Sequence, residues 1–303
     1  MLARGQRIIG IDNFDPFYPR PVKERNLVAS RAAPGFEFHE ADVLDVPHLA
    51  ALLTPDTVVV HLAAKAGVRP SIADPVGYAR ANVTGTAAVL TAMREAGTRR
   101  LVFGSSSSVD GDSTPPPFTE DAVALEPVSP YAATKRAGEL LLRAQAPLDR
   151  LQVASLRFFT VYGPRQRPDL AIHAFARRMT AGETITLFGD GTQARDYTYC
   201  DDIVAGVLSA IDWTADAEPG IVEHFNLGGN LPVPLDTMVR VLAEALGIEP
   251  LIQRAPMQPG DVHWTAADLS KSEAVLGYVP GTPFTEGIRR FVAWFRETNE
   301  SVN

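Results

Sequence analysis

The chain has 303 residues, of which 46% are hydrophobic, and its 28 basic and 36 acidic residues leave a formal net charge of −8. That length supports one large domain or two closely joined ones around a sizeable core, and the acidic, well-mixed charge argues against a basic nucleic-acid surface. No apolar run approaches a membrane span, the N-terminus Met1-Leu-Ala-Arg-Gly-Gln-Arg7 has no signal-type apolar core, and the single cysteine, Cys200, rules out an internal disulfide.

The expectation is therefore a soluble, cytoplasmic protein with no membrane or nucleic-acid partner. The six histidines lack metal-ligand spacing, so no metal is expected, and Cys200 reads as a packing residue. Met1 to Gly5 reads as the last turn of a helix closed by its C-terminal glycine. Short apolar runs at 7–11, 36–39, 57–62, 101–104 and 152–157 then alternate with helical stretches at 22–31, 47–53, 75–95 and 129–144. This is the pattern of a doubly wound α/β sheet with parallel strands. Beyond residue 164 the pattern loosens, with helices expected at 171–181, 201–212, 235–246 and 283–297. A first domain at 1–165 and a smaller α/β region at 166–303, the chain crossing back to the first domain, follow from this reading. The smaller region should cap the carboxyl edge of the sheet, where open α/β sheets bind ligands.

The ends of the first three strands carry dinucleotide signals. Asp12, with Asn13, closes the first strand with a carboxylate that suits an adenosine ribose and favours NAD over NADP, or else serves as a turn cap. Asp42 and Val43 after the second strand bracket an adenine or form a turn. His61, Leu62, Ala63, Ala64 and Lys65 end the third strand with small residues that admit a cofactor to the backbone, and Lys65 is either a ribose or phosphate ligand or a solvated lysine. No glycine-rich turn, which would hold the pyrophosphate at a helix N-terminus, follows any strand here. The expectation is that Met1 is a mis-assigned start and that a first strand and its Gly-rich turn precede it. The fold class is thus a Rossmann-type sheet lacking its first strand, with facing edges left unpaired.

A serine run, Ser105 to Ser108, ends the fourth apolar stretch, and Tyr131 and Lys135 stand four residues apart in Ser129-Pro-Tyr-Ala-Ala-Thr-Lys135. Residues i and i+4 share a helix face, so the Lys135 ammonium can favour the ionised form of the Tyr131 phenol, which unassisted is a poor base at neutral pH. A serine hydroxyl from the strand end could orient the same substrate oxygen. Taken alone, the pair is also what an exposed helix face carries by chance.

Seven segments in order settle that choice: Gly10-Ile-Asp-Asn13, His61-Leu-Ala-Ala-Lys-Ala-Gly-Val-Arg69, Gly104-Ser-Ser-Ser-Ser-Val-Asp-Gly111, Tyr131-Ala-Ala-Thr-Lys135, Arg157-Phe-Phe-Thr-Val-Tyr-Gly-Pro-Arg165, Arg195-Asp-Tyr-Thr-Tyr199 and Met257-Gln-Pro-Gly-Asp-Val262. With them the chain resembles, over nearly its whole length, the extended short-chain dehydrogenase/reductases, and among these the NAD-dependent nucleotide-sugar epimerases, most nearly the UDP-glucuronate 4-epimerases. The resemblance implies an enzyme that epimerises C4 of a UDP-sugar through a 4-keto intermediate. It makes Ser106, Tyr131 and Lys135 catalytic. Asp12, Asn13, Asp42, Val43, Leu62, Ala63, Ala64 and Lys65 become cofactor residues with Tyr131 and Lys135. Arg69, Ser107, Ser108, Thr160, Arg167, Arg195 and Asp261 become substrate residues, and a homodimer becomes the expected assembly, through a pairing of the tyrosine-bearing helix and the one before it; the stripe Ala79, Val83, Ala87 and Leu90 serves either that pairing or core packing. The family's decarboxylases and dehydratases carry an acid just after the catalytic Ser/Thr, and Ser107 and Ser108 stand there instead, which favours simple epimerisation. The resemblance leaves open a neutral-sugar epimerase, a related dehydratase and an inactive nucleotide-sugar-binding remnant. One further departure is Asp110, where the motif has tyrosine: a charged carboxylate close to Tyr131 would disfavour its phenolate, unless the side chain points away.

Overall fold

The computed structural model describes residues 1–111, 114–122, 126–257 and 263–300. A single 3-10 turn, Leu2–Arg4, ends at Gly5, whose φ of 74° is left-handed. The chain then runs β1 (Ile8–Asp12), α1 (Arg20–Arg31), β2 (Phe36–Glu40), α2 (Val46–Leu52), β3 (Val58–His61), α3 (Val68–Ala73), α4 (Pro75–Tyr78), a π-helical turn (Ala79–Thr84), α5 (Gly85–Ala96), β4 (Arg100–Ser106), a 3-10 turn (Ser107–Asp110), α6 (Pro130–Asp149) and β5 (Gln152–Phe158). There follow β6 (Thr160–Tyr162), α7 (Ala171–Thr180), β7 (Ile185–Phe188), β8 (Ala194–Tyr199), α8 (Cys200–Asp216), β9 (Val222–Leu227), β10 (Pro232–Pro234), α9 (Leu235–Leu246), β11 (Ile252–Ala255), α10 (Ser270–Leu276) and α11 (Phe284–Glu300).

Two compact units divide these elements. The first comprises Met1–Val109, Ser129–Leu156 and Val207–His224, and the second Asp110–Val128, Arg157–Gly206 and Phe225–Asn303. The boundaries are interleaved: 110–128 and 157–165 group with the second unit and 207–224 with the first, where the sequence suggests a boundary after residue 165 with a later crossing back to the first domain.

In the first unit the parallel sheet is in two pieces. β1 pairs with β2, from Ile8 opposite Phe36 to Asp12 opposite Glu40, and a separate four-stranded piece runs in the order β3-β4-β5-β9. β1 and β3 each have one neighbouring strand, so among the described residues their other edges have no strand partner. The core here gathers Leu49, Val89, Leu90, Met93, Leu101, Phe103, Leu142, Leu151 and Val153. β4 is buried along almost its whole length, which is why it reads as a continuous apolar run rather than an alternating one.

The expected single helix over 75–95 is instead α4, the π turn and α5. Asp74 caps α4 by accepting the Gly77 N–H at 2.9 Å. α6 extends beyond its expected end, carrying Pro147 in its last turn; a proline there removes one hydrogen bond near an end that is already short of partners.

The second unit has its own core, built on Tyr162, Ile172, Met179, Leu187, Met238, Leu242, Ile288 and Phe291. Its short strands form the sets β10-β8-β6 and β11-β7. None of these was expected, because runs of three to six residues rich in polar and aromatic side chains give too little periodicity. Among the described residues no helix is long and apolar enough to cross a membrane.

Candidate active site

Ser106 lies at the carboxyl end of β4 and is 7% exposed. Its hydroxyl donates to Ser108 Oγ at 3.1 Å and accepts the Ser108 N–H at 3.2 Å. The strand end and the turn after it thus fix one another. Ser107 and Ser108, half-buried, open that turn.

α6 presents Tyr131 and Lys135, the other two residues expected to be catalytic. Ser129 caps it by accepting the Ala132 N–H at 3.1 Å, and Pro130 occupies its first position. The Tyr131 N–H, left over in the first turn, donates to Ser71 Oγ at 3.0 Å, and the Tyr131 ring meets Tyr78 edge-on with centroids 6.2 Å apart. One turn on, Lys135 Nζ donates to the Gly104 carbonyl at 2.7 Å and lies 5.4 Å from the Phe103 ring centroid. This ties the lysine to β4 two residues before Ser106. Gly138 permits the approach of helix to strand, since a Cβ there would lie 2.7 Å from the Phe103 ring.

Burial pushes the Lys135 ammonium down to about 8, and the Glu139 carboxylate acts against that fall. His61, buried in β3 with a 3.2 Å bond to Thr86 Oγ1, is pushed down to about 3 by burial and by the Lys135 charge, so it is neutral in the working range.

Asn82 was not singled out by the sequence. From the π turn its Oδ1 accepts the Lys65 N–H at 2.8 Å, while its Nδ2 donates to Lys65 O at 3.0 Å and to Thr134 Oγ1 at 2.9 Å. It therefore joins the segment after β3 to the helix that carries Tyr131 and Lys135. The extra residue of a π turn re-aims a side chain, a feature with no simple sequence signal. Ser71 and Tyr78 were missed as well, being ordinary residues whose role arises only from packing.

Among the expected cofactor residues, Asp12 ends β1, half-exposed, and one of its oxygens accepts the Phe14 N–H at 2.6 Å. Asn13 Nδ2 donates to Asp42 Oδ2 at 3.0 Å, linking the ends of the two strands. Asp42 also caps the Leu44 N–H at 2.9 Å, and Val43 packs against the core beside Gly85, where a Cβ would come within 3.1 Å of it. Leu62 is 53% exposed, and Ala63 follows it at the surface with Ala64 half-buried. Lys65 Nζ pairs with Asp74 at 3.1 Å and lies 3.9 Å from Asp15. Arg69, on α3, is exposed.

In the second unit Thr160 opens β6 opposite Tyr197, and Arg195 lies on β8, its guanidinium donating to Ala194 O at 3.1 Å. Arg167 grips Asp169 with Nε at 3.1 Å and Nη2 at 2.9 Å. Asp261 lies outside the described residues. Asp110 has a clear place: its Oδ1 is 3.0 Å from Arg157 Nη1, and both side chains are buried. Arg157 also donates to Glu120 O at 3.3 Å.

Residues 1–228 match the NAD dependent epimerase/dehydratase family. The chain belongs to that family. Over 305 residues it is 35% identical to a UDP-glucuronate 4-epimerase of Thermodesulfobacterium geofontis, spanning 100% of this chain and 92% of that protein. It is 38% identical over 309 residues to UDP-glucuronate 4-epimerase 4 of Arabidopsis thaliana, spanning 96% of this chain and 70% of the other. The crystal structure of UDP-glucuronic acid 4-epimerase from Bacillus cereus, in complex with UDP-glucuronic acid and NAD, superposes with a TM-score of 0.90 at 32% identity, covering 97% of this chain and 92% of that one.

The donor set fits the two ribose ends of the dinucleotide for which this epimerase/dehydratase family is named. A half-exposed carboxylate at the end of β1 suits a diol, and Lys135 supplies a buried donor anchored on β4 two residues before Ser106. The segment between β1 and α1 contains no glycine, and α1 starts after Pro19 with no side-chain cap, so this turn is not a phosphate cradle.

Proposed function

We propose that this protein is an NAD-dependent UDP-sugar 4-epimerase that interconverts UDP-glucuronate and UDP-galacturonate. The observation that carries the reading is the triad: Tyr131 and Lys135 share one face of α6, and Lys135 is bonded to β4 two residues before Ser106. NAD, when bound, accepts the hydrogen of C4 as hydride and returns it.

Tyr131 takes the proton of the C4 hydroxyl, with its phenolate favoured by the Lys135 ammonium, and Ser106 holds the same oxygen. A 4-keto sugar results. It turns about its link to the diphosphate and is reduced on its other face, Tyr131 giving the proton back. Such a turn needs the nucleotide held firmly and the sugar loosely, and Arg195 and Asp261 are the residues we assign to the nucleotide. A 4-keto glucuronate is a β-keto acid that loses carbon dioxide when its carboxylate bond stands perpendicular to the carbonyl plane. We assign Ser107, Ser108, Thr160, Arg167 and Arg69 to substrate contacts, the first four to the carboxylate, keeping it out of that alignment. The absence of an acid at Ser107 and Ser108 disfavours loss of water or carbon dioxide.

A cytoplasmic homodimer is part of this reading. On the helical segment before β4, Ala79 is exposed and Val83 and Ala87 are half-buried, while Leu90 belongs to the core. The experiment is incubation of the purified protein with UDP-glucuronate and NAD, followed by NMR and mass spectrometry of the nucleotide sugar. UDP-galacturonate of unchanged mass is expected. Turnover of UDP-glucose to UDP-galactose with UDP-glucuronate untouched, or a product lighter by water or carbon dioxide, would overturn it.

A further inference from the structure

The face of α6 that bears Tyr131 and Lys135 continues one turn further to Glu139, a carboxylate only 1% exposed. Helical spacing places it on the same face as the lysine, as the next member of the series. Two side chains donate to it and a third, itself held by a fourth, lies beside it. Ser105 Oγ, on β4 beside Ser106, donates to Glu139 Oε1 at 2.7 Å, and Arg136 Nη1, on α6, donates to Oε2 at 2.8 Å. His224, on β9, turns its Nδ1 towards Oε1 at 3.7 Å. Arg143, also on α6, donates from Nε to His224 Nε2 at 3.1 Å.

That last bond settles the tautomer of the imidazole. A guanidinium only donates, so Nε2 is the acceptor and Nδ1 carries the hydrogen. An N–H therefore faces the carboxylate. With a hydroxyl and a guanidinium donating to it, and the imidazole N–H at 3.7 Å adding a longer-range attraction but no hydrogen bond, Glu139 has the donor set of an ionised acid, and no neighbour in this group asks it to donate.

A buried anion one turn below a buried cation is more than a packing device. Among the described residues the charged and titratable groups coupled to Lys135 are Glu139 on its own helix and His61 on β3, with Tyr131 one turn back on the same helix face; the Lys135 ammonium also meets the Gly104 carbonyl and the Phe103 ring. His61 is neutral, so it does not compensate the ammonium.

We propose that Glu139 is a positioning residue for the hydride-transfer triad, a fixed buried carboxylate that keeps Lys135 protonated beside Tyr131, with Ser105, Arg136 and the Arg143–His224 pair holding it in place. The proposal rests on the epimerase reading for its effect on turnover but not for its effect on the lysine. Ser105 gains a role distinct from that of Ser106: of two neighbouring serines at one strand end, one anchors Glu139 and the other is left for the reacting oxygen.

The test reads Lys135 directly. Lys23, Lys65, Lys135 and Lys271 are the lysines of the chain, so in protein carrying 13C-lysine the Lys135 Cε resonance is assigned by its loss in K135M. It is titrated without substrate from about pH 6 to about pH 11, across the ordinary lysine range. Glu139→Gln should lower the midpoint by about one pH unit, a tenfold shift of the proton equilibrium, while Glu139→Asp should keep it close to that of the parent. Arg136→Gln, at a half-exposed site, should raise it, and this variant serves if E139Q fails to fold. An unchanged or higher midpoint in E139Q, or an unchanged or lower one in R136Q, would sink the proposal. With UDP-glucuronate as substrate, the alkaline limb of kcat should move down with the midpoint in E139Q at unchanged KM. A loss of kcat at every pH with the limb in place would mark a merely structural residue. If the parent protein leaves UDP-glucuronate unchanged, the epimerase reading fails while the lysine titration still decides the role of Glu139.

Discussion

Asp110 and Arg157 form an ion pair of 3.0 Å in which the side chains are 0% and 1% exposed. Asp110 closes the turn that Ser107 and Ser108 open and stands where the family motif has tyrosine. The Arg157 guanidinium compensates its charge. Removing one partner of a buried pair strands the other, at a cost of about 3–5 kcal/mol. Arg157→Met should therefore lower the unfolding free energy in urea by that order. Replacing both, Asp110→Leu with Arg157→Met, should recover most of the loss. A single mutant within about 1 kcal/mol of the parent would show that the pair is dispensable.

The buried Lys135 ammonium carries a cost in stability. It is pushed from 10.5 down to about 8 by burial. Between these values the unfolded chain binds the proton and the folded chain does not, so the unfolded state carries more protons and stability rises with pH across that window. Below it, the buried charge destabilises the fold by ~3 kcal/mol relative to its neutral form. Lys135→Met, which gives up the bond to Gly104 O, should be more stable than the parent near neutrality by roughly 1–3 kcal/mol. The difference should shrink as pH rises from about 8 to about 10.5, and turnover should be lost. Urea melts of both proteins across that range measure it; a difference that grows with pH contradicts the assignment.

Much of this site was legible because its chemistry follows local periodicity. Tyr131 and Lys135 are one helical turn apart, and the serine run stands out at the end of an apolar stretch, although the choice of Ser106 within that run came from the family resemblance. The parts that stayed hidden depend on partners distant in sequence. Asn82 acts through Lys65 and Thr134, Ser71 through Tyr131, and Glu139 through Ser105 and His224. The short strands of the second unit were invisible for another reason: β6 and β10 have three residues each, too few for an alternation to register.

Tyr131→Phe separates chemistry from architecture. The anchors carried by the backbone N–H and the ring, to Ser71 and Tyr78, survive the change. Unfolding should stay within about 1 kcal/mol of the parent, whereas kcat should fall about a thousandfold with the loss of the acid/base group. Ser106→Ala should be milder, since the Ser108 N–H loses its acceptor and the substrate oxygen loses one donor. Retention of more than a tenth of kcat in Y131F would remove Tyr131 as the base.

Arg167 offers the sharpest test of substrate preference. Both Nε and Nη2 engage the Asp169 carboxylate, the geometry with which an arginine binds any carboxylate. If Arg167 serves the hexuronate carboxylate, Asp169 competes with the substrate for the same fork. Asp169→Asn weakens that competitor and should lower KM for UDP-glucuronate by a few-fold. Arg167→Ala should raise it by about tenfold, close to the loss of one charge-assisted bond. Neither change should alter binding of UDP-glucose, which has no carboxylate to place. The two variants thus shift KM in opposite directions for the acid and leave the neutral sugar unaffected, and isothermal titration with both sugars would show it. Parallel shifts for the two sugars would mean that Arg167 acts on the nucleotide or the fold and does not select the uronate.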